Sequence, residues 1–185
     1  MVTYLSTTIT DFLISNDIID QSQYKIYHYG VLTLLVNLIS VIEILVLGLI
    51  TNTLYIAIIY MISFVILRSF AGGFHFKHYI PCNVTYGCIY LLCSYSYLHI
   101  SNNEVILNVI CLLSLLVIYV MSPVVHINKP LDEHKKKRNR IITIIISIVL
   151  FGLSFAGMSF GIMKYVLIST ALLQLITRRE KNYVT

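Results

Sequence analysis

Charged residues are scarce in this sequence. Only 11% of its 185 residues are Asp, Glu, Lys or Arg, whereas 58% are hydrophobic. A soluble globular domain is about a quarter charged, so the composition excludes that class and predicts a membrane protein. The N-terminal stretch also lacks the basic start and the unbroken apolar core of a secretory signal peptide, because Asp11, Asp17 and Asp20 interrupt it.

The formal net charge is +5, but no basic cluster resembles a nucleic-acid surface. The basic residues instead stand at the edges of apolar segments, which favours orientation in a bilayer over nucleic-acid binding. Cysteine is sparse too, and the spacing of the four cysteines does not predict a disulfide framework. Cys88, Cys93 and Cys111 lie inside apolar runs, where cysteine behaves as a small hydrophobe, whereas Cys82 borders a polar interval.

Six apolar segments follow the first thirty residues. They cover residues 31–50, 53–70, 83–100, 105–125, 141–160 and 162–177. A helix needs about 20 residues to cross the hydrocarbon core, so the second and last segments are the weakest and need a thinner bilayer or snorkelling flanks. We therefore predict an all-α, polytopic integral membrane protein with six transmembrane helices.

The first thirty residues contain no apolar segment long enough to cross a membrane. Four apolar side chains fall on one helical face: Leu5, Ile9, Phe12 and Leu13. This pattern predicts an amphipathic helix at the membrane interface, with a frayed soluble tail as the alternative because the apolar stripe is short. The predicted organisation is an interfacial segment at 1–30, a six-helix membrane domain at 31–177 and a tail at 178–185.

The distribution of positive charge predicts the orientation. With six spans and both termini on one side, every basic residue except Lys164 falls on that side. The positive-inside rule makes this side the cytoplasm. The loops after the second and fourth spans are then cytoplasmic as well. A cytoplasmic thiol stays reduced, so Cys82 is available as a nucleophile.

The polar interval RSFAGGFHFKHYIPC, at residues 68–82, contains a candidate catalytic pair. A cysteine nucleophile needs a base within hydrogen-bond reach, and His75 is the obvious base for Cys82. On one straight helix the two would be separated by about 10.5 Å, too far for proton transfer. The chain must therefore bend.

The sequence supplies residues for such a bend. Gly72 and Gly73 permit backbone angles closed to other residues, and Pro81 prevents a helix from continuing through it but suits a first turn. Cys82 would then lie in the first turn of the third span, where the helix dipole favours a thiolate. Free N–H groups there would also hold a developing oxyanion.

Two other interpretations of the interval stay open. Interfacial histidines serve as anchors in many membrane proteins, and a cysteine at a helix start often only packs. A zinc site would need four tetrahedral ligands, and the candidates are His75, His78, Cys82 and Cys88. The basic side chains of Arg68 and Lys77 would repel the cation, so we expect no metal and no cofactor.

The pattern Arg68-x-x-x-Gly72-Gly73-x-His75, followed by Cys82, resembles the signature of the accessory gene regulator B (AgrB-like) family. These proteins are membrane cysteine endopeptidases of Gram-positive quorum sensing. A second match follows the fourth span, and consists of Ser122-Pro123, Asn128-Lys129-Pro130-Leu131 and a basic loop from Lys135 to Arg140. Phe76 departs from the small residue that the family often has, which bears on the shape of the substrate groove.

The resemblance implies a substrate and a reaction. The substrate would be an AgrD-like propeptide with an amphipathic leader and an acidic tail. His75 would take the proton of Cys82, whose thiolate would release the tail and hold the remainder as a thioester. A cysteine or serine of the peptide would then close a thiolactone or lactone ring. The resemblance also implies a homodimer in the cell membrane, with its site on the cytoplasmic side.

Supporting roles are less defined. Arg68 either binds a substrate carboxylate or carbonyl or merely snorkels, and Gly73 serves backbone geometry. Asn83, Thr85 or a backbone carbonyl are the candidates for orienting His75. Lys129 and the basic run either attract the acidic tail or only reflect topology.

A second function class uses other residues. Glu43, with Asn37 nearby, stands in the first span, where a carboxylate is costly and faces protein or water. With His99 these residues would form the polar pathway of a small transporter or channel subunit. The simpler interpretation is a protonated Glu43 hydrogen-bonded within the helix bundle, with His99 as an interfacial anchor.

Overall fold

The computed structural model describes residues 2–72, 79–99, 103–124 and 132–181. These ranges are helical and contain no named strand, which confirms the all-α prediction. The helices are α1 (Val2–Ser15), α2 (Tyr24–Ile50), α3 (Leu54–Ala71), α4 (Tyr79–His99), α5 (Glu104–Met121), α6 (Glu133–Leu153) and α7 (Ile162–Lys181). Short 3-10 turns at Gln21–Gln23 and Met158–Gly161 precede α2 and α7. Every predicted apolar segment therefore coincides with a helix.

Among the described residues, three helices are long and apolar enough to cross a membrane. They are Gln21–Ile50, Leu54–Ala71 and Glu104–Met121, with mean hydropathies of 2.5, 2.0 and 2.5. Ile162–Thr177 is a shorter apolar helix. The chain is thus a membrane protein, while a crossing by all six helices stays a prediction.

The chain forms two compact units, residues 1–43 and 44–185. Their boundary falls inside α2. The division of the sequence into an interfacial segment, a peptidase domain and a tail concerns function and stays a prediction.

In the first unit, α1 packs through its polar face. Ser6 and Thr10 are fully buried, and Ser6 Oγ donates a hydrogen bond to the His28 carbonyl oxygen at 2.9 Å. Half of the predicted apolar stripe is exposed, with Leu5 48% and Phe12 61% accessible, and Ile9 and Leu13 are half-buried. The helix itself is confirmed. Its free apolar stripe is what an interfacial helix requires, and its location at the membrane stays a prediction.

In the second unit, α7 is the central helix. It packs against α3, α4, α5 and α6, and Ile162, Val166 and Leu167 are fully buried. Polar side chains are buried beside them, including Lys164 and Gln174. A helix that touches protein on most sides needs little lipid-facing surface, which explains why the apolar part of α7, Ile162–Thr177, is short.

An aromatic cluster joins α3 to α4. Tyr60 and Phe64 of α3 stack on Tyr86 of α4, with ring centroids 5.9 and 4.9 Å apart respectively. Tyr90 is fully buried in the same cluster, and its hydroxyl lies 2.7 Å from Thr53 Oγ1. Packed rings of this kind fix the relative position of two helices. The cluster therefore sets how the end of α3 faces the beginning of α4.

Candidate active site

The polar interval breaks between α3 and α4, as predicted. Helix α3 ends at Ala71, and Gly72 adopts φ 68° and ψ −168°, a backbone conformation essentially restricted to glycine. Pro81 and Cys82 lie in the first turn of α4, which begins at Tyr79. The predicted position of Cys82 in a first helical turn is therefore confirmed.

Three of the predicted site residues, Gly73, His75 and Lys129, lie outside the described residues. The contact between His75 and Cys82 accordingly stays a prediction, as do the roles assigned to Gly73 and Lys129.

Arg68 of α3 and Cys82 of α4 lie within range of an electrostatic interaction. Cys82 carries a free, half-buried thiol. The guanidinium also lies over the Phe64 ring, with Cζ 5.4 Å from the ring centroid, a cation–π arrangement.

The two side-chain candidates for orienting His75 differ in their surroundings. Asn83 is buried, at 8% exposure. Thr85 donates its hydroxyl proton to the Pro81 carbonyl oxygen at 2.7 Å, so only its oxygen lone pairs stay available to an imidazole N–H. Neither role is tested by this geometry.

The end of α3 meets the end of α5 at a junction. Gly72 forms a parallel bridge with Val124, and the Val124 N–H donates to the Ala71 carbonyl oxygen at 3.0 Å. A Cβ atom on Gly72 would overlap the Val124 carbonyl oxygen. Gly72 is therefore required here for a close approach as well as for its backbone angle.

The basic run after α5 is not a loop, contrary to the prediction. Helix α6 begins at Glu133 and includes Lys135 to Arg140 in its first two turns. Lys and Arg are good helix formers, so the run continues the helix of the following apolar segment. Arg140 anchors this end, donating to the Tyr119 carbonyl oxygen at 3.3 Å and lying 5.3 Å from the centre of its ring.

The residues of the transporter interpretation lie in two different units, and each is described by itself. Glu43 is half-buried and Asn37 is exposed on α2. His99 is exposed at the end of α4, where it stacks on Tyr95. Two grooves along α6 in the second unit are lined almost entirely by aliphatic side chains. Within the described ranges, no three His, Cys, Asp or Glu side chains are grouped to hold a metal ion.

Sequence reasoning missed two buried polar side chains of α7. Lys164 is 2% exposed and pairs with Glu104 at 3.0 Å. Gln174 is fully buried and donates to the Ala71 carbonyl oxygen at 3.2 Å and to Ser122 Oγ at 2.8 Å. The available signal was a lysine and a glutamine inside an otherwise apolar segment, where buried polar groups require partners.

The fold and the site define a class of protein: a helical membrane protein with a cysteine near the start of one helix and an arginine near the end of the preceding one. The sequence profile of one family, accessory gene regulator B, matches residues 6–178. The chain belongs to the accessory gene regulator B family.

Relatives in three genera cover most of the chain. An AgrB-like protein of Clostridium perfringens is 28% identical over 93% of this chain and 87% of its own length. The accessory gene regulator protein B of Staphylococcus aureus is 28% identical over 72% of this chain and 71% of its own length. An AgrB-like protein of Listeria innocua is 27% identical over 97% and 94%. No solved structure matches.

Proposed function

We propose that this protein is a membrane cysteine endopeptidase of an accessory gene regulator quorum-sensing system. It removes the acidic tail of an AgrD-like propeptide and cyclises the remainder to a thiolactone or lactone. The observation that carries the proposal is the family match over residues 6–178, and it is supported by the position of Cys82 at the fourth residue of α4.

The first step releases the tail. His75 accepts the proton of the Cys82 thiol, and the thiolate attacks the carbonyl carbon at the junction between the autoinducer segment and the tail. The C–N bond then breaks, His75 returns the proton to the departing nitrogen, and the peptide stays on Cys82 as a thioester. In this proposal Arg68 binds a carboxylate or carbonyl group of the propeptide.

The second step closes the ring. A thiol or hydroxyl of the bound peptide attacks the thioester carbonyl, gives up its proton, and displaces the Cys82 thiolate, which is protonated again. Exchange of one thioester for another conserves the activated acyl bond, so this route consumes no ATP. Exclusion of water prevents hydrolysis to a linear product, and holding the peptide thiol near the acyl carbon raises the effective molarity.

The propeptide's acidic tail fits the basic start of α6. Lys135, Lys137 and Arg138 are exposed there, beside the Lys136–Glu133 pair at 3.5 Å. Attraction between opposite charges mainly accelerates encounter and sets orientation. The proposal includes Lys129 on the same side, six transmembrane helices with cytoplasmic termini and site, and a homodimer.

The test uses co-expression with a propeptide that has an amphipathic leader, an internal cysteine and an acidic tail. Mass spectrometry follows the tail and the cyclic product. Replacing Cys82 or His75 with alanine should abolish both products, whereas Cys88→Ala, on the same helix and exposed, is the matched control and should leave them unchanged. Arg68→Met should slow tail release more than Arg68→Lys, because lysine keeps the charge.

Two outcomes would contradict the proposal. Tail release by the Cys82→Ala protein would show that another group carries the reaction. Loss of activity in Glu43→Gln with normal activity in His75→Ala would favour the transporter interpretation.

A further inference from the structure

The strongest feature that the reaction does not yet use is the amide of Gln174 in the middle of the second unit. Its nitrogen donates two hydrogen bonds, each to the end of a different helix. One acceptor is the carbonyl oxygen of Ala71, the last residue of α3, and the other is Oγ of Ser122, which follows α5. A primary amide carries two N–H groups on one nitrogen. Gln174 is therefore able to join both helix ends to α7 with a single side chain.

The Ala71 carbonyl explains why a donor is needed there. The last carbonyls of a helix have no partner within the helix, and this one is buried with Ala71, which is fully inaccessible. It accepts hydrogen bonds from both the Val124 N–H and the Gln174 amide. The helix end is thus satisfied by the neighbouring chain and by α7 together.

Burial of the Gln174 amide leaves one of its polar atoms unsatisfied, which is unfavourable for folding. Gln174 is fully buried, and its Oε1 has no hydrogen-bond partner in the described part of the chain. A leucine or methionine would fill similar space without leaving a buried acceptor unsatisfied. The two donated hydrogen bonds are what glutamine supplies that an apolar residue does not.

The junction matters because two proposed site residues come shortly after it in the sequence. His75 comes three residues after Gly72, and Lys129 comes five residues after Val124. The segment that carries His75 and the segment that carries Lys129 therefore both start at this junction, where the Val124 N–H donates to the Ala71 carbonyl oxygen. Gln174 is the side chain that ties both starting points to the central helix.

We propose that Gln174 is a positioning residue for the peptide-processing reaction, acting by holding the ends of α3 and α5 in one register at the Gly72–Val124 junction. This inference rests on the proposed function. It assigns Gln174 no contact with the substrate. Its effect is on where the segments carrying His75 and Lys129 begin relative to Cys82.

The central experiment compares Gln174→Met with Thr170→Val. Thr170 is also buried, one turn earlier on α7, and within the described residues its hydroxyl donates to the Val166 carbonyl oxygen of its own helix alone. Gln174→Met should lower tail release per folded molecule by about 10- to 100-fold, the scale expected when reacting groups are misplaced by about 1 Å. Thr170→Val should leave it within about twofold. Ser122→Ala, which removes one of the two acceptors, is the milder variant should Gln174→Met fold poorly, and should fall between them.

A readout that needs no propeptide separates positioning from stability. The rate of Cys82 alkylation by iodoacetamide at neutral pH is measured on each purified variant, alongside its thermal midpoint. Gln174→Met should slow alkylation nearly as much as His75→Ala does, since both take the base away from the thiol. A merely structural role would lower the thermal midpoint and leave the alkylation rate per folded molecule unchanged.

The outcomes keep the two proposals apart. If His75→Ala slows alkylation and abolishes tail release but Gln174→Met and Ser122→Ala behave like Thr170→Val, the positioning role is wrong and the proposed function stands. If Cys82→Ala still releases the tail, the proposed function is wrong and the inference falls with it.

Discussion

Substituting Gly72 with alanine tests the junction that ends α3. The residue has φ 68° and ψ −168°, and a side chain in that region costs about 1–3 kcal/mol. The new Cβ would also overlap the carbonyl oxygen of Val124, which is backbone and has little freedom to move aside. The pairing between Gly72 and Val124 must therefore open.

The expected loss comes from these two effects. Opening the pair breaks the 3.0 Å hydrogen bond from the Val124 N–H to the Ala71 carbonyl oxygen, worth about 0.5–1.5 kcal/mol. Together with the backbone strain, Gly72→Ala should lower the free energy of unfolding by about 2–4 kcal/mol. Tail release should fall as well, because the segment carrying His75 begins at this residue.

The assay is thermal unfolding of the purified protein in detergent, followed by circular dichroism. Gly152→Ala in α6 is the matched control, because within the described residues its added Cβ meets no atom within 4 Å outside its chain neighbours and the backbone of its own helix. Alanine is a better helix former than glycine by about 1 kcal/mol, so this variant should unfold at the wild-type temperature or above it. Equal midpoints for Gly72→Ala and wild type, with normal peptide processing, would refute the reasoning.

The remaining predictions concern other parts of the second unit. Glu104→Gln leaves the buried Lys164 ammonium without its carboxylate and should lower the free energy of unfolding by about 1–2 kcal/mol, a modest loss because Glu104 is 69% exposed. Adding Lys164→Met should recover most of that loss in a double-mutant cycle, and additive losses would contradict the pairing. Gly48→Ala places a Cβ 2.6 Å from a side chain of α3 and should cost about 1–3 kcal/mol in chemical denaturation, whereas a neutral result would mean that α2 and α3 are further apart. A charged maleimide should label Cys82 in the native protein, as read by peptide mass spectrometry. It should label Cys111 only after unfolding, because Cys111 is fully buried, and native labelling of Cys111 would contradict the packing of α5.

Helix positions were predictable because they depend on runs of apolar side chains. Each predicted span coincides with a helix, although α4 starts four residues before the predicted Asn83 and α6 starts eight before Ile141. Hydrophobicity marks where lipid-like surroundings are needed, whereas helical hydrogen bonding continues into polar flanks such as the run after Glu133. The ends were therefore less predictable than the centres.

The local part of the candidate site was predictable for a similar reason. Gly72 and Pro81 are limited by their own covalent structure, so a break at the first and a helix start at the second follow from residue type. Cys82 in the first turn of α4 is a direct consequence. The position of Arg68 relative to Cys82 depends on how α3 packs against α4 through the aromatic cluster. No pattern within either helix predicts that packing.

The sequence by itself determined an all-α membrane protein of the accessory gene regulator B family, with a glycine break and a cysteine at a helix start. The helical membrane class, the glycine break and the helix start follow from composition, hydrophobic runs and the backbone limits of single residues, whereas the family follows from sequence similarity over residues 6–178. Only the tertiary structure decided that α7 is central and that Gln174 joins the ends of α3 and α5. Hydrophobicity alone does not show whether the neighbour of an apolar side chain is lipid or protein. Packing between distant segments therefore decides which helix is surrounded by other helices and which buried polar group has an acceptor.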